Sequence, residues 1–514
     1  MFIILSLACA ALGALYIVYQ RTWHPLAAYP GPFWASLTDF WGAKAFWSGQ
    51  HPYILTELHE KYGPLVRFGP NRLSFISPDA INTIFVKGFK TLPKTEFYDT
   101  FGSKQYPNLF NETNMSLHFH RRKYLLKLFS PQAVVKWEPV LDHQIEIFRK
   151  RLRHFSATRQ PFNLKEVSYQ LICDIIACLM YGEDFGIQES GLVQNLPDDH
   201  RWTSWGLTLG SMPAPWRWLL PIMFFLPHPQ TGYRRNTLSY ALAAQRIMQK
   251  RRKDIEAGQD INRQDTVTRA FLNNINEKTE NGVPPLTDFY VAHELFGFVF
   301  AGVHPPSASL NFLFWNLLHN PVSLEQAVSE IDQALPAMTP ERTAYTQAEV
   351  EQNLPWFKAC LKESFRITPA FAMPLTRRIV TDTIILNGKT IPKGTDVALC
   401  NHAFHHNPEV FGKDHNVYDP ARWETESADS LSKLLMHFGA GGRQCIGKAL
   451  ALSIISKLTA TLLSEFSLEL ADGKAQKSAV AGKFCGQLPP MNSVGISDVK
   501  GSIMVRATIR HEQH

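Results

Sequence analysis

Paired cysteine spacings are missing from this chain. It has seven cysteines in 514 residues. They are odd in number and widely scattered, which excludes a disulfide framework and a zinc motif. Dense Lys/Arg blocks are missing too. Basic residues exceed acidic ones by only 7, 52 against 45. That excess suits an acidic protein partner or an anionic membrane surface and does not call for nucleic acid. No internal repeat or low-complexity tract occurs, so repeat arrays are excluded. Charged residues are sparse at 19%, against 45% hydrophobic and 12% aromatic. What remains is a globular chain with a large apolar interior. Length alone suggests several domains.

Residues 1–19 are almost entirely apolar and lack a basic leader. The run is about long enough to cross a bilayer as a helix. A cleaved signal peptide is the competing reading. The length of the run, and Arg21 on its C-terminal flank, favour an uncleaved anchor with the body of the protein in the cytosol. We therefore expect a transmembrane signal anchor over 1–20, a proline-rich hinge over 21–35 containing Tyr29-Pro30-Gly31-Pro32, and one body over 36–514. Two glycosylation sequons, at Asn111 and Asn114, would stay unused in the cytosol.

After the hinge, alternating segments at 65–68 and 72–76 predict short strands, and 78–86 a helix. Helical periodicity then dominates: 134–155, 164–181, 237–257, 288–319, 321–335 and 352–366. Strand-like pieces return at 378–386 and 396–400. The expected fold is mainly α with small β-sheets, in a single large helical domain.

The stretch Phe438-Gly439-Ala440-Gly441-Gly442-Arg443-Gln444-Cys445-Ile446-Gly447 precedes an apolar helical run from Lys448. A thiolate at a helix start is stabilised by free backbone N–H groups and the helix dipole. Glycines let a large flat group approach, and Arg443 can pair with an anion. These parts suit a cysteinate on a haem iron, against the plain alternative of a buried structural cysteine.

Phe438, Gly441, Arg443, Cys445 and Gly447 resemble the cysteine-loop signature of the cytochrome P-450 superfamily, and the proline-rich hinge and central motifs are similar to those of its membrane-anchored fungal members of secondary metabolism. The resemblance implies a haem b (iron protoporphyrin IX), with Cys445 as the axial metal ligand. It implies that His118, Arg122, Arg443 and either Arg377 or Arg378 hold the propionates, with Arg377 the better fit. His118 and Arg122 share a helix face; a solvated basic face is the alternative for them. Glu363, Arg366 and Arg422 are implied to form a buried structural charge network. The segment 211–233, dense in Trp, Pro and Phe, is either core or a lid dipping into the membrane interface.

One departure stands out. After Ala301-Gly302 and one further residue, the family usually carries an acid and a threonine that deliver protons beside the bound oxygen. Here the residues are His304 and Pro305, followed by Pro306. Proline has neither a hydroxyl nor an N–H. Two in succession predict a broken helix with freed carbonyls. His304 and Ser307 are the substitute proton carriers, unless water or a substrate hydroxyl serves.

The resemblance implies a monooxygenase of the endoplasmic reticulum membrane. It would be single-pass with a cytosolic catalytic domain, and would act on a small apolar substrate with O2 and electrons from NADPH–cytochrome P-450 reductase. A haem-thiolate isomerase, lyase, coupling enzyme or peroxide user is the alternative that His304-Pro305 raises. A non-catalytic haem-binding relic is a further one.

Overall fold

The computed structural model describes residues 1–101, 107–191, 208, 210–212, 245–258, 266–274, 287–339, 342–381, 383–471 and 488–510. The expected lid over 211–233 and the loop 102–106 fall largely outside these.

Helix α1 (Phe2–Val18) is exposed throughout and runs on into one wider turn, Tyr19–Trp23. Together they form an apolar helix of 22 residues, about 33 Å long and enough to cross a membrane. Its inner end is fastened to the body. Tyr16 Oη donates to the Leu37 carbonyl of α2 (Phe33–Leu37) at 2.8 Å. Arg67, only 1% exposed, donates to the Gln20 carbonyl (2.9 Å), the Gln20 side chain (2.6 Å) and the Pro70 carbonyl (2.7 Å). The Arg67 amide in turn donates to Pro30 O at 2.7 Å. A Cβ at Gly31 would collide with the Arg67 carbonyl, so only glycine passes there. The proline-rich segment is thus laid flat against the first strand.

That strand is β1 (Leu65–Gly69), followed by β2 (Arg72–Phe75). With β3 (Arg377–Arg378) and β4 (Asp396–Leu399) they make a four-stranded sheet in the order β1-β2-β4-β3. Only β2 and β4 run parallel, with Arg72 opposite Asp396. A second apolar core packs around this sheet through Leu73, Phe75, Val397 and Leu399.

The main core is helical. Helix α3 (Met115–Leu126) is capped by Asn114, whose side chain accepts from Leu117 N at 3.1 Å. Helix α4 (Leu164–Tyr181) ends at Gly182 with φ 72°, a left-handed C-cap that glycine adopts without strain. Helix α5 (Asp288–His319) begins at Thr287, which caps Tyr290 N. Both α4 and α5 match the expected ranges. The expected helix over 352–366 starts later, as α6 (Pro355–Ile367), because Pro355 takes the first helical turn. The segment before it is a separate helix, Gln347–Asn353, with a Thr346–Glu349 capping box. Pro139 likewise separates Pro131–Lys136 from Glu138–Thr158.

The broken central helix does not occur: α5 runs through Pro305 and Pro306 without interruption. Each proline in a helix interior costs about 3 kcal/mol. The following two turns bury Leu310, Phe312, Leu313, Phe314, Trp315 and Leu317 almost completely. At about 1.5–3 kcal/mol per large apolar side chain, that burial outweighs the prolines. Asn316 also ties α5 to α6, donating to Ser364 Oγ and Thr368 Oγ1 at 3.1 and 3.2 Å. Gly302 brings α5 against α4, since a Cβ there would press on Ile176 Cδ1 at 2.9 Å.

The sequon at Asn111 is inaccessible. Asn111 is 2% exposed and its Oδ1 accepts from Asn108 N at 2.7 Å. Asn114 is occupied as the α3 cap. Endoglycosidase treatment of protein from a fungal host is therefore expected to leave its mass unchanged. A glycan mapped to Asn111 would contradict this placement.

Candidate active site

The cysteine loop is built from two tight turns, Met436–Phe438 and Gly441–Arg443. It leads into helix α7 (Lys448–Glu465), whose N-cap is Gly447. Gly439 and Gly441 have φ of 69° and 67°, the left-handed region that disfavours a Cβ. A side chain at Gly441 would also strike the Phe85 carbonyl, and one at Gly442 the Phe89 ring. The loop is therefore seated tightly on residues 85–89. Cys445 N closes it by donating to Phe438 O at 2.8 Å. Phe438 packs edge-on to Phe365 at 5.5 Å.

Cys445 is exposed, and the space it faces is a cavity it helps to line. Protein crowds around it closely enough that burial pushes its thiol pKa up. The Gly447 amide, Arg122 and Lys448 pull it back toward the thiolate. Together with the solvent space at its open side, the cavity comprises about 1920 Å³ not filled by protein atoms. Its walls include Phe438, Ile446 and Leu450 beside the cysteine, and Phe298, Ala301, Gly302 and Pro305 from α5.

His118, Arg122, Arg377 and Arg443 converge on this cavity with Cys445. Sequence reasoning missed a fifth group, Lys94, which bridges in the β sense to Arg377. Lys94 Nζ bonds the Phe110 carbonyl and lies 4.3 Å from the Tyr98 ring centroid. Burial, then Arg443 and Arg377, press its pKa well down. Burial and the same cations push His118 down to about 2, so its ring is neutral. Arg122 donates to Gln444 O at 2.8 Å, tying α3 to the loop. Arg443 donates to Glu112 O at 2.7 Å, yet its buried Nε has no partner. His118 Nδ1 is buried and unpartnered as well. Arg378 points elsewhere and pairs with Asp396 at 2.8 Å, which leaves Arg377 as the arginine at the cavity. Crowded cations with unspent donors are costly unless an anion joins them.

Helix α5 presents Pro305, Pro306 and Ser309 to the same cavity. His304 and Ser307 are buried and are not part of its lining. Ser307 Oγ donates to Val303 O at 2.7 Å. Ser309 Oγ donates to Pro305 O at 2.8 Å and lies 3.2 Å from His437 Nε2. Burial holds His437 down to about 3, so its neutral ring can donate to the serine. Ser309 was also missed, although its spacing from Pro305 puts the two on one helix face.

Behind the loop, Glu363 and Arg366 are completely buried and doubly bonded at 2.9 and 2.7 Å. Arg422 Nε approaches Glu363 at 3.5 Å. The expected charge network is present.

The family model for cytochrome P450 matches residues 29–493. This chain belongs to the cytochrome P450 family. A pisatin demethylase of Fusarium vanettenii is 27% identical over 483 residues, covering 91% of this chain and 90% of that protein. The cytochrome P450 monooxygenase gsfF of Penicillium aethiopicum is 28% identical over 487 residues, covering 92% and 94%. A cytochrome P450 monooxygenase of Aspergillus terreus is 29% identical over 464 residues, covering 87% and 91%. The P450 is thus an oxidoreductase of the monooxygenase type, similar to fungal enzymes of secondary metabolism, and its family carries haem. The site suits that group: an accessible cysteine sits on one wall, unspent cationic donors lie to the side, and glycine-lined approaches flank them.

Proposed function

We propose that this P450 oxidises a small apolar natural-product intermediate, by hydroxylation or a related oxidation. It would use O2 and electrons that NADPH–cytochrome P-450 reductase delivers at the endoplasmic reticulum membrane. The domain plan behind this is an anchor over 1–20, a linking segment over 21–35 and a haem domain over 36–514, with the catalytic body cytosolic. The observation that carries the reading is one largely apolar cavity lined together by Cys445, five basic side chains and one face of α5.

Haem b, when bound, supplies the electron-transfer and oxygen chemistry, to which a cysteinate ligand lends electron density. Cys445 would ligate the iron. His118, Arg122, Arg377, Arg443 and Lys94 would take the two propionates, satisfying Arg443 Nε and His118 Nδ1. Phe438 would shield the sulphur from water. The apolar wall of Phe101, Phe110, Phe298 and Phe371 would exclude water and orient the substrate by shape.

Proton delivery falls to α5, through His304 beside Pro305 or the hydroxyls of Ser307 and Ser309. Of the three, Ser309 alone lines the cavity, and His437 braces it. Alanine at whichever residue carries the proton should lower product formed per NADPH consumed by about a hundredfold, with haem content unchanged. Unaltered coupling in all three single variants would remove these residues from the relay.

Pro305 and Pro306 on the cavity wall favour one rival, a haem-thiolate isomerase, lyase or peroxide user that needs no relay. Assays with and without NADPH and reductase separate the two. Turnover should require both, and undiminished turnover without them would overturn the monooxygenase reading. A thiolate spectrum with no turnover on any candidate intermediate would instead mark a non-catalytic relic.

A further inference from the structure

Among the described residues lining the cavity, Glu294 is the only carboxylate. It is 2% exposed, in a wall it shares with Phe101, Phe110, Phe296 and Phe298 and with one other polar side chain, Asn108. It lies seven residues before Ala301 and eleven before Pro305, so all three share one face of α5. An acid placed there by chance would ordinarily turn to solvent, because burying a carboxyl without full hydrogen bonding is costly.

Tyr290 Oη, one turn earlier on α5, donates to Oε1, and the nearby Leu109 amide favours the ionised form. A carboxyl group offers about four acceptor positions, so acceptor capacity remains on the side that faces the cavity. Arg121 and Glu112 act on its carboxyl in opposite directions. Arg121 stacks 4.0 Å over the Tyr290 ring and pairs with Glu112 at 2.6 Å. Arg121 is therefore paired with Glu112 and bonded to the Pro107 carbonyl rather than to Glu294.

We propose that Glu294 is a specificity-determining anchor that hydrogen-bonds a hydroxyl group at the end of the substrate remote from the oxidised carbon. The distance from Glu294 to Ala301 along the helix is ~10 Å at 1.5 Å per residue. That span fits a rigid molecule about two aromatic rings long. The position of the oxidised end rests on the monooxygenase reading; the hydroxyl contact does not. A hydroxyl suits the site better than an ammonium. Burial lifts Glu294 to about 7, so near neutral pH it is present both as carboxylate and as carboxylic acid. The first accepts from a hydroxyl and the second donates to one. An ammonium can use only the ionised form, and it would sit near Arg121.

The test compares 4-hydroxybiphenyl, 4-methoxybiphenyl and biphenyl by calorimetric titration of the full-length holoprotein in detergent. Wild type should bind the phenol about tenfold more tightly than the ether, as one hydrogen bond to a carboxyl group predicts. In Glu294→Leu the two affinities should fall within about twofold, while biphenyl binds as well as before or better. Glu294→Gln, which keeps the shape and an acceptor, should retain part of the preference. Equal affinities in wild type, or a preference that survives in Glu294→Leu, would overturn the proposal. The reduced carbon-monoxide spectrum is recorded on each sample. A wild-type protein without the thiolate band but with the phenol preference would remove the haem-thiolate reading and leave the Glu294 contact standing.

Discussion

Replacing Cys445 by alanine is expected to abolish reductase-dependent turnover and the thiolate band of the reduced carbon-monoxide spectrum, while helical content by circular dichroism stays native. The two losses should coincide, because one sulphur provides both properties. The fold should survive because the loop is held by other contacts: the Cys445 amide bond to Phe438 O, the seat of Gly441 and Gly442 on residues 85–89, and the Arg122 bond to Gln444 O. None of them uses the thiol. Cys445→Ser tests the same point with a smaller change of shape, and its hydroxyl is a poor substitute for a soft, electron-rich thiolate. Product formation at the wild-type rate in Cys445→Ala would refute the assignment of the axial ligand.

Arg366→Lys is expected to be nearly as damaging to folded holoprotein, although it keeps the charge. Arg366 spends all five of its N–H donors. Nε and Nη2 hold Glu363, Nη2 also reaches Val417 O, and Nη1 reaches His405 O and His415 O. A lysine offers three donors from a single point and cannot reproduce that fork. Glu363 meanwhile accepts from Asp419 N at 3.0 Å and Trp423 Nε1 at 2.9 Å. Breaking a fully buried pair costs about 3–5 kcal/mol, a large share of a typical stability of about 5–15 kcal/mol. Even an apolar replacement of both partners strands three carbonyls, an amide and an indole N–H. Holoprotein yield per milligram, read from the carbon-monoxide spectrum, should collapse in Arg366→Lys and Glu363→Gln. Arg342→Ala breaks a partly exposed pair with Glu349, which is worth about 0–1 kcal/mol, and should leave the yield intact. Normal yields from Arg366→Lys would show that the network is dispensable.

The elements that could be read from sequence share a cause. Residues 164–181 and 288–319 repeat their apolar positions over five or more turns and end at identifiable caps, Gly182 and Thr287. The cysteine loop was readable because its glycines, arginine and cysteine are each required by local geometry. Where long-range packing decides, local rules failed. Pro305 and Pro306 did not break α5, because the turns after them are buried on every side. Lys94, Glu294 and Ser309 were missed for another reason. A single polar residue in an apolar stretch carries no pattern until its neighbours in space are known. Even so, the spacings of Glu294 and Ser309 from Ala301 and Pro305 were present in the sequence. Lys94 had no such signal, since a single bridge to Arg377, 283 residues away, holds it beside the cavity.

The Arg67 fastening has a mechanical consequence. Gln20 and Tyr16 belong to the apolar helix and its extension, and both are bonded to the body of the protein. The connection therefore transmits angle as well as position. In a bilayer, a helix of fixed length adjusts to membrane thickness by tilting. Here the tilt would carry the first sheet with it, and with the sheet Arg377 on the cavity wall. Membrane thickness would then set the height and inclination at which this enzyme meets a lipid-dissolved substrate. Loosening Arg67 would uncouple catalysis from the choice of membrane.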